Sequence, residues 1–308
     1  MKDRLVTLIG GGGFLGRYVA QALLAAGARV RIAQRDPREA WYLKPLGGLG
    51  QTQFVAADVA RPETLARAVA GADGVVNLVG SFSGDLQRIH VDGARALAEA
   101  AREAGVSALV HISAIGADPA AASYYAQTKG LGEEAVRASF PAATILRPST
   151  VFGREDQFIN LFAGMIAKLP VVPVLKPATR FQPVFAGDVG DAVVAALKEP
   201  TAHGGRTYEL GGPDVLTMLA LQQWIARTIG RDPTFVPLPD VLGGLVAALP
   251  GAPISRDQWK LLQHDTVVAP DADGLSALGI TPTPLAAVAP GWLVRYQRAG
   301  RFARPTAA

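Results

Sequence analysis

The chain has 308 residues, 49% of them hydrophobic, with no cysteine, four histidines and a net charge of +4 at a pI near 9.5. That size and composition describe a globular protein with one generous core, or a core and an appended lobe, and exclude a disordered chain. Without thiols there is no disulfide framework and no thiolate metal site, scattered histidines form no ligand set, and the mild charge lacks the basic stripe of a nucleic-acid binder, so neither metal nor nucleic acid is expected.

The opening residues carry charges, a short apolar strand and no small-residue cleavage site, so no signal peptide is expected. No apolar window reaches the length of a membrane span; the nearest, Val236 to Leu249, is broken by Pro237, Pro239 and Asp240. A soluble or peripheral protein is therefore expected.

Leu5 to Ala20 reads as a buried strand, a glycine turn and a helix. Val6, Leu8 and Ile9 form a short apolar run, and Phe14, Leu15, Tyr18 and Val19 restart the apolar pattern at helical spacing after four glycines. Gly10, Gly13 and Gly16 allow a tight turn, close approach of a diphosphate and close packing of the helix. The first helical N–H groups, at Phe14 and Leu15, then face the anion. Ala28 to Gln34 reads as the second strand of a right-handed βαβ unit. It ends at Arg35, about twenty residues past the glycines, where a carboxylate reads a ribose hydroxyl and an arginine reads a 2′-phosphate. Arg35 favours NADPH/NADP over NAD, whereas Asp36 reverses that choice if the chain turns one residue earlier.

Phe54 to Ala57 is a third strand delivering Asp58 and Val59 to the adenine, with capping of the helix Pro62 to Ala70 the other reading of Asp58. Val75 to Val79 is a fourth strand bearing Asn77 at its cofactor end, a helix follows over Asp85 to Ala104, and Ala108 to Ser113 is a fifth strand. This strict alternation implies an α/β, Rossmann-type doubly wound parallel sheet. Tyr125 and Lys129, four apart on one helical face, and Ser113 at the neighbouring strand end make a carbonyl site. The ammonium lowers the phenol's pKa, and serine and phenol share one oxygen.

These motifs together resemble the short-chain dehydrogenase/reductase superfamily in its atypical, extended branch. The resemblance implies Gly10, Gly13 and Gly16 at the diphosphate, Arg35 at the 2′-phosphate, Asp58 and Val59 at adenine, and Ser113, Tyr125 and Lys129 as the active triad. It also places the strand end Arg147-Pro148-Ser149 beside the nicotinamide. A narrower similarity begins at His111-Ile-Ser-Ala, is most specific over Val151 to Phe162, and continues through Gln182 to Val189, Ile254 to Asp257 and Leu278 to Pro282. It resembles the NADPH-binding, dehydrogenase-like accessory subunits of respiratory complex I, in a bacterial version. It implies complex I subunits as partners, a nucleotide held structurally, and a cytoplasmic protein peripheral on the inner membrane.

Beyond Gly153 the alternation stops, and residues 151–182 and 201–308 are expected to form a smaller, discontinuous C-terminal α/β substrate lobe, leaving 1–150 with 183–200 as the dinucleotide domain. Helices are expected over Phe158 to Leu169, over Val189 to Lys198 with Asp188 as N-cap, and over Leu219 to Ile229, with a strand over Tyr208 to Gly212. Residues 236–253 are apolar and read either as a lid or as a contact for lipid or quinone, and Arg295, Arg298, Arg301 and Arg304 form either an anionic-surface foot or solvated charge. Two functions follow: an NADPH-binding accessory subunit, or an NADP(H)-dependent oxidoreductase acting on a quinone-related or other apolar carbonyl or alcohol.

Overall fold

A computed structural model describes residues 1–241, 243–244, 254–298 and 300. In chain order the first half comprises β1 (Leu5–Ile9), α1 (Phe14–Ala25), β2 (Arg29–Gln34), β3 (Thr52–Ala56), α2 (Leu65–Val69), β4 (Gly74–Asn77), α3 (Gly93–Glu103), β5 (Ala108–Ile112), α4 (Tyr124–Ser139) and β6 (Thr144–Pro148). The chain continues through β7 (Val151–Phe152), α5 (Phe158–Lys168), β8 (Val171–Val174), β9 (Arg180–Phe181), β10 (Val184–Phe185), α6 (Ala186–Lys198), α7 (Pro200–His203) and β11 (Thr207–Leu210). It then forms β12 (Leu216–Thr217), α8 (Met218–Thr228) and β13 (Thr234–Pro237).

Two compact units result. The first holds Met1–Pro148, Ala186–Leu210 and Val268–Thr281. Its sheet has the order β11-β6-β5-β4-β1-β2-β3, every neighbour parallel. The order reverses between β1 and β4, which opens a crevice at their C-terminal ends, the place where such sheets bind ligands. Both faces are covered, so β4 and β5 are buried along their whole lengths. Ile9, Val75, Leu109 and Ile145 pack with Leu65, Leu97 and Val136 from α2, α3 and α4. On the other face α6 closes on α1, where a Cβ on Gly190 would lie 3.0 Å from the Tyr18 carbonyl oxygen.

The second unit is the described part of Ser149–Phe185, Gly211–Val267 and Pro282–Ala308. Strand pairs β7–β10 and β8–β13 are parallel and β9–β12 is antiparallel. Ile159, Ala163 and Ile166 of α5 meet Leu221, Ile225 and Ala226 of α8, with Leu285 and Leu293, in one core.

Several elements differ from the sequence-based expectation. Helix α6 starts at Ala186, so Asp188 is a buried first-turn residue and not its cap. Residues 201–210 and 268–281, expected in the smaller lobe, belong to the first unit, because β11 pairs with β6 and the Glu209 side chain accepts from the Ala269 N–H. A ten-residue 3-10 segment, Pro37–Leu46, follows β2 where no element was expected, its cap formed by Asp36. The helix expected from Asp85 begins as a π-helical turn, Gln87–Asp92, before α3. Most of 236–253, and Arg301 and Arg304, lie outside the described residues.

Candidate functional site

The glycine turn between β1 and α1 divides its work among three residues. Gly10 holds φ +79°, a left-handed angle that suits glycine, and its Cβ would lie 3.2 Å from the Val79 side chain. Gly16 lets α1 close on the turn, since a Cβ there would come within 2.3 Å of the Gly11 carbonyl oxygen. Gly13 is different: its backbone sits at φ −78° and ψ −178°, which any residue adopts, and a Cβ there would meet only the Gly10 oxygen at 3.4 Å. The fold itself does not need glycine at 13, and the space beside it is open to a group approaching from outside. No side chain caps the first turn of α1, so the N-terminal N–H groups around Phe14 and Leu15 remain for a ligand. A cradle left open where a side chain would fit, at a helix N-terminus and at the sheet's crevice, suits a dinucleotide diphosphate.

At the end of β2, Arg35 is exposed and no described residue bonds or pairs with its guanidinium. Asp36 is engaged. Its carboxylate accepts Arg38 Nε at 2.9 Å and Nη2 at 2.8 Å and caps the 3-10 segment through the Arg38 N–H, and these bonds hold its pKa below the usual value. Asp58 is bound into its own loop, its N–H donating to Thr64 Oγ1 and its carboxylate accepting from Ala60 N–H, while Val59 is buried beneath Gly93.

Two of the three residues expected to form a carbonyl site, Tyr125 and Lys129, lie on α4, and the third, Ser113, follows β5. Ser123 caps α4, which places Tyr125 and Lys129 on one face. Lys129 is buried and its ammonium donates to the Ile112 carbonyl at 2.7 Å; burial lowers its pKa to about 8 against the opposing pull of Glu133. Tyr125 stacks on Phe82 with centroids 4.4 Å apart and meets the edge of His90 at 5.5 Å. Burial pushes its hydroxyl up to about 12, opposite to the lowering expected from Lys129, because the low dielectric penalises the phenolate.

Two histidines that sequence reasoning left without a role organise this region. The Val79 N–H donates to Asn77 Oδ1, so the Asn77 amide donates to His111 Nδ1 at 3.1 Å and the proton of His111 resides on Nε2. That Nε2, on β5, and Ser113 Oγ, one residue past the strand's end, are buried without a hydrogen-bond partner among the described residues. Leaving a buried donor unmade costs about 1–3 kcal/mol, a cost that a bound polar group offsets. His90 accepts from the Ser81 N–H through Nε2 and so donates from Nδ1 to Thr128 Oγ1 at 2.9 Å; burial, then Lys129, lowers its pKa to about 4 and keeps it neutral. It pins the Ser81–Gly84 loop, and with it Phe82, over Tyr125. His111 stands in the motif that carried the narrower resemblance, but its partner Asn77 is 34 residues away, and nothing local announces the pair.

Arg147 is spent within the frame. Its guanidinium forms a bidentate pair with Glu133 of α4, Nε–Oε1 2.9 Å and Nη2–Oε2 2.8 Å, and lies 3.7 Å from Glu209 of β11. Pro148 ends β6, and its carbonyl accepts from the Ile115 N–H. The resemblance placed this strand end at the nicotinamide; the arginine side chain instead ties α4 to the sheet.

Residues 10–161 match a protein-family model described as NAD(P)H-binding. Subunit 9 of the NADH dehydrogenase [ubiquinone] 1 alpha subcomplex of Mus musculus is 35% identical over 295 residues, covering 91% of this chain and 77% of that protein. The chain belongs to the NAD(P)H-binding, extended short-chain dehydrogenase/reductase family. A ceramide reductase of Caulobacter vibrioides is 32% identical over 266 residues, covering 84% of this chain and 80% of that one. The fold is similar to that of an NADPH-dependent quinone oxidoreductase of Escherichia coli crystallised with NADPH, at 22% identity and a TM-score of 0.75, covering 92% of this chain and 97% of that chain. Among the described residues no helix is long and apolar enough to cross a membrane, and no cluster of side chains could hold a metal ion.

Proposed function

We propose that this protein holds NADP(H) in the β1–α1 cradle and serves as an accessory subunit of a respiratory NADH:quinone oxidoreductase, peripheral to the membrane on its cytoplasmic face. The observation that carries the reading is the extent of the similarity to the mouse subunit. It runs over 91% of this chain, through both units and well past the dinucleotide cradle that all such folds need. For NADP(H), the support is that Asp36, whose carboxylate would repel a 2′-phosphate, is occupied by Arg38, while Arg35 is open to it. Gly10, Gly13 and Gly16 with the first turn of α1 would hold the diphosphate, Asp58 and Val59 the adenine side, and Asn77, Tyr125 and Lys129 the nicotinamide ribose side. The test is native-level expression with an affinity tag. Comigration with the intact respiratory complex is expected, and a protein found only as a free species beside intact complex overturns the reading.

A second reading rests on the Ser113 hydroxyl, buried without a hydrogen-bond partner among the described residues and next in the chain to the Ile112 carbonyl that Lys129 bonds: an NADP(H)-dependent reductase of an apolar carbonyl compound, as the similarity to a ceramide reductase also suggests. The nicotinamide, when bound, supplies or accepts hydride. Tyr125, protonated at neutral pH with its hydroxyl at about 12, gives its proton to the carbonyl oxygen, and Ser113 holds that same oxygen. Lys129, with a pKa of about 8, carries the positive charge that stabilises the tyrosinate left behind. Tyr125→Phe separates the two readings: turnover and cellular function lost with NADPH binding intact belong to the enzyme, and cellular function unchanged belongs to the accessory subunit.

A further inference from the structure

Strand β3 is one edge of the seven-stranded sheet, and among the described residues no strand pairs with its outer side. The Val30 N–H bonds to the Gln51 carbonyl and the Ala57 N–H to the Gln34 carbonyl, so the ladder to β2 uses the odd-numbered residues. The even-numbered ones, Thr52 and Phe54, turn their N–H and C=O groups outward, where no described residue bonds them.

Beside this edge lies a depression of about 570 Å³ lined by Thr52, Gln53 and Phe54 of the strand, by Trp41 and Lys44 of the 3-10 segment, and by the turn that joins them. Of its lining side chains Trp41 and Leu49 are exposed and apolar, and Tyr42 and Leu46 of the same stretch are exposed as well, four large side chains within nine residues. The 3-10 segment that carries Trp41 and Lys44 is held in place. Leu43 and Ala40 are fully buried beneath it, the Tyr42 hydroxyl donates to the Gly12 carbonyl at 3.0 Å, and the Arg17 guanidinium lies 4.4 Å over the Tyr42 ring.

Lys44 sets the charge of the occupant. Its ammonium stands 4.4 Å from the Trp41 ring centroid and 5.8 Å from that of Phe54, and no described carboxylate pairs with it. A lysine that only guards an edge against aggregation needs no such placement over two rings. Self-pairing of two β3 edges would add a second Lys44 to the seam and supply no carboxylate for either.

We propose that the open β3 edge and the Trp41–Lys44–Phe54 depression form a docking site for an extended, acidic and apolar peptide segment of a partner protein. The segment adds a strand through the outward amides of Thr52 and Phe54 and sets a carboxylate on Lys44. The proposal does not depend on the respiratory assignment.

The test uses the full chain and a fluorescein-labelled heptapeptide, Val-Glu-Val-Glu-Val-Glu-Val amide, read by fluorescence anisotropy. Binding of this peptide is expected, with at least about tenfold weaker binding of the lysine-for-glutamate peptide and of a peptide N-methylated at alternate amides, each step being about 1.4 kcal/mol. Lys44→Glu, an exposed position whose fold is checked by its melting temperature, should reverse the preference between the acidic and basic peptides. Failure of the acidic peptide to bind, equal binding of the acidic and basic peptides, or indifference to Lys44→Glu overturns the proposal. So does uptake by phosphatidylglycerol vesicles without uptake of peptide, or a concentration-dependent dimer that excludes the peptide and survives Lys44→Glu.

Discussion

Gly13→Ala separates a glycine kept for a ligand from a glycine kept for the fold. The new Cβ would be in ordinary contact with one oxygen at 3.4 Å, and the backbone angles need not change. Two small stability terms oppose one another: a less flexible unfolded chain stabilises the variant by about 0.4–1 kcal/mol, and alanine in place of glycine as the α1 N-cap costs about as much. The net change is within about 0.5 kcal/mol, a shift in melting temperature of about 2 °C or less for a chain of this length. Gly16→Ala is the internal control, because its Cβ would lie 2.3 Å from the Gly11 oxygen and the helix would have to move, at about 1–3 kcal/mol. Differential scanning fluorimetry with and without NADPH reads both quantities. Gly13→Ala should melt with the wild type in the absence of nucleotide and lose the stabilisation that NADPH confers, whereas Gly16→Ala should melt lower in its absence. A Gly13→Ala protein that melts several degrees low, or that binds NADPH as the wild type does, refutes the assignment of the open space to the diphosphate.

Arg35→Ala should weaken NADP(H) by at least about tenfold, or about 1.4 kcal/mol, and leave NAD(H) nearly unchanged in calorimetric titrations; equal losses for both would mean that Arg35 does not read the phosphate. Arg147→Met should leave the buried Glu133 carboxylate without its bidentate partner and lower the unfolding free energy by about 2–4 kcal/mol, less than a fully buried pair because Arg147 keeps some exposure. Adding Glu133→Gln should restore most of that loss in denaturant melts, and a double variant no better than the single one would contradict the pairing. For Lys129 the folded pKa, about 8, lies below the unfolded 10.5. The unfolded chain therefore binds the extra proton between these values, and stability should rise with pH across that window. The unfolding free energy of wild type minus that of Lys129→Met should increase by about 3 kcal/mol from pH 7.5 to 10.5, and a flat difference would show that the ammonium is not desolvated.

The parts of this protein set by neighbours along the chain are legible in its sequence. An apolar run, three glycines at three-residue spacing and a renewed helical period specify β1, the turn and α1. The repeated alternation of strand and helix specifies a parallel sheet covered on both faces, and four-residue spacing puts Tyr125 and Lys129 on one side of α4. Local steric limits and side-chain periodicity act over a few residues, so sequence carries them directly. Boundaries were less legible: α6 begins two residues before the expected cap, and the 3-10 segment after β2, rich in aromatic and charged side chains, has no apolar period to announce it.

What no local pattern could decide was which polar groups find partners. Arg35 and Asp36 are adjacent and either could have met the ribose; the structure engages Asp36 with Arg38 and leaves Arg35 open. Arg147 is claimed by Glu133, 14 residues earlier, and approaches Glu209, 62 residues later; His111 is set in one tautomer by Asn77 from the next strand. The phenol of Tyr125 is raised and not lowered because its surroundings, Phe82 and His90 among them, come from a loop and a π turn some forty residues upstream. Chain sequence determines the elements and the residues available to a site. Burial depth and the pairing of charges depend on which distant elements pack together, and through the local dielectric these alone decide the protonation state and the freedom of each group.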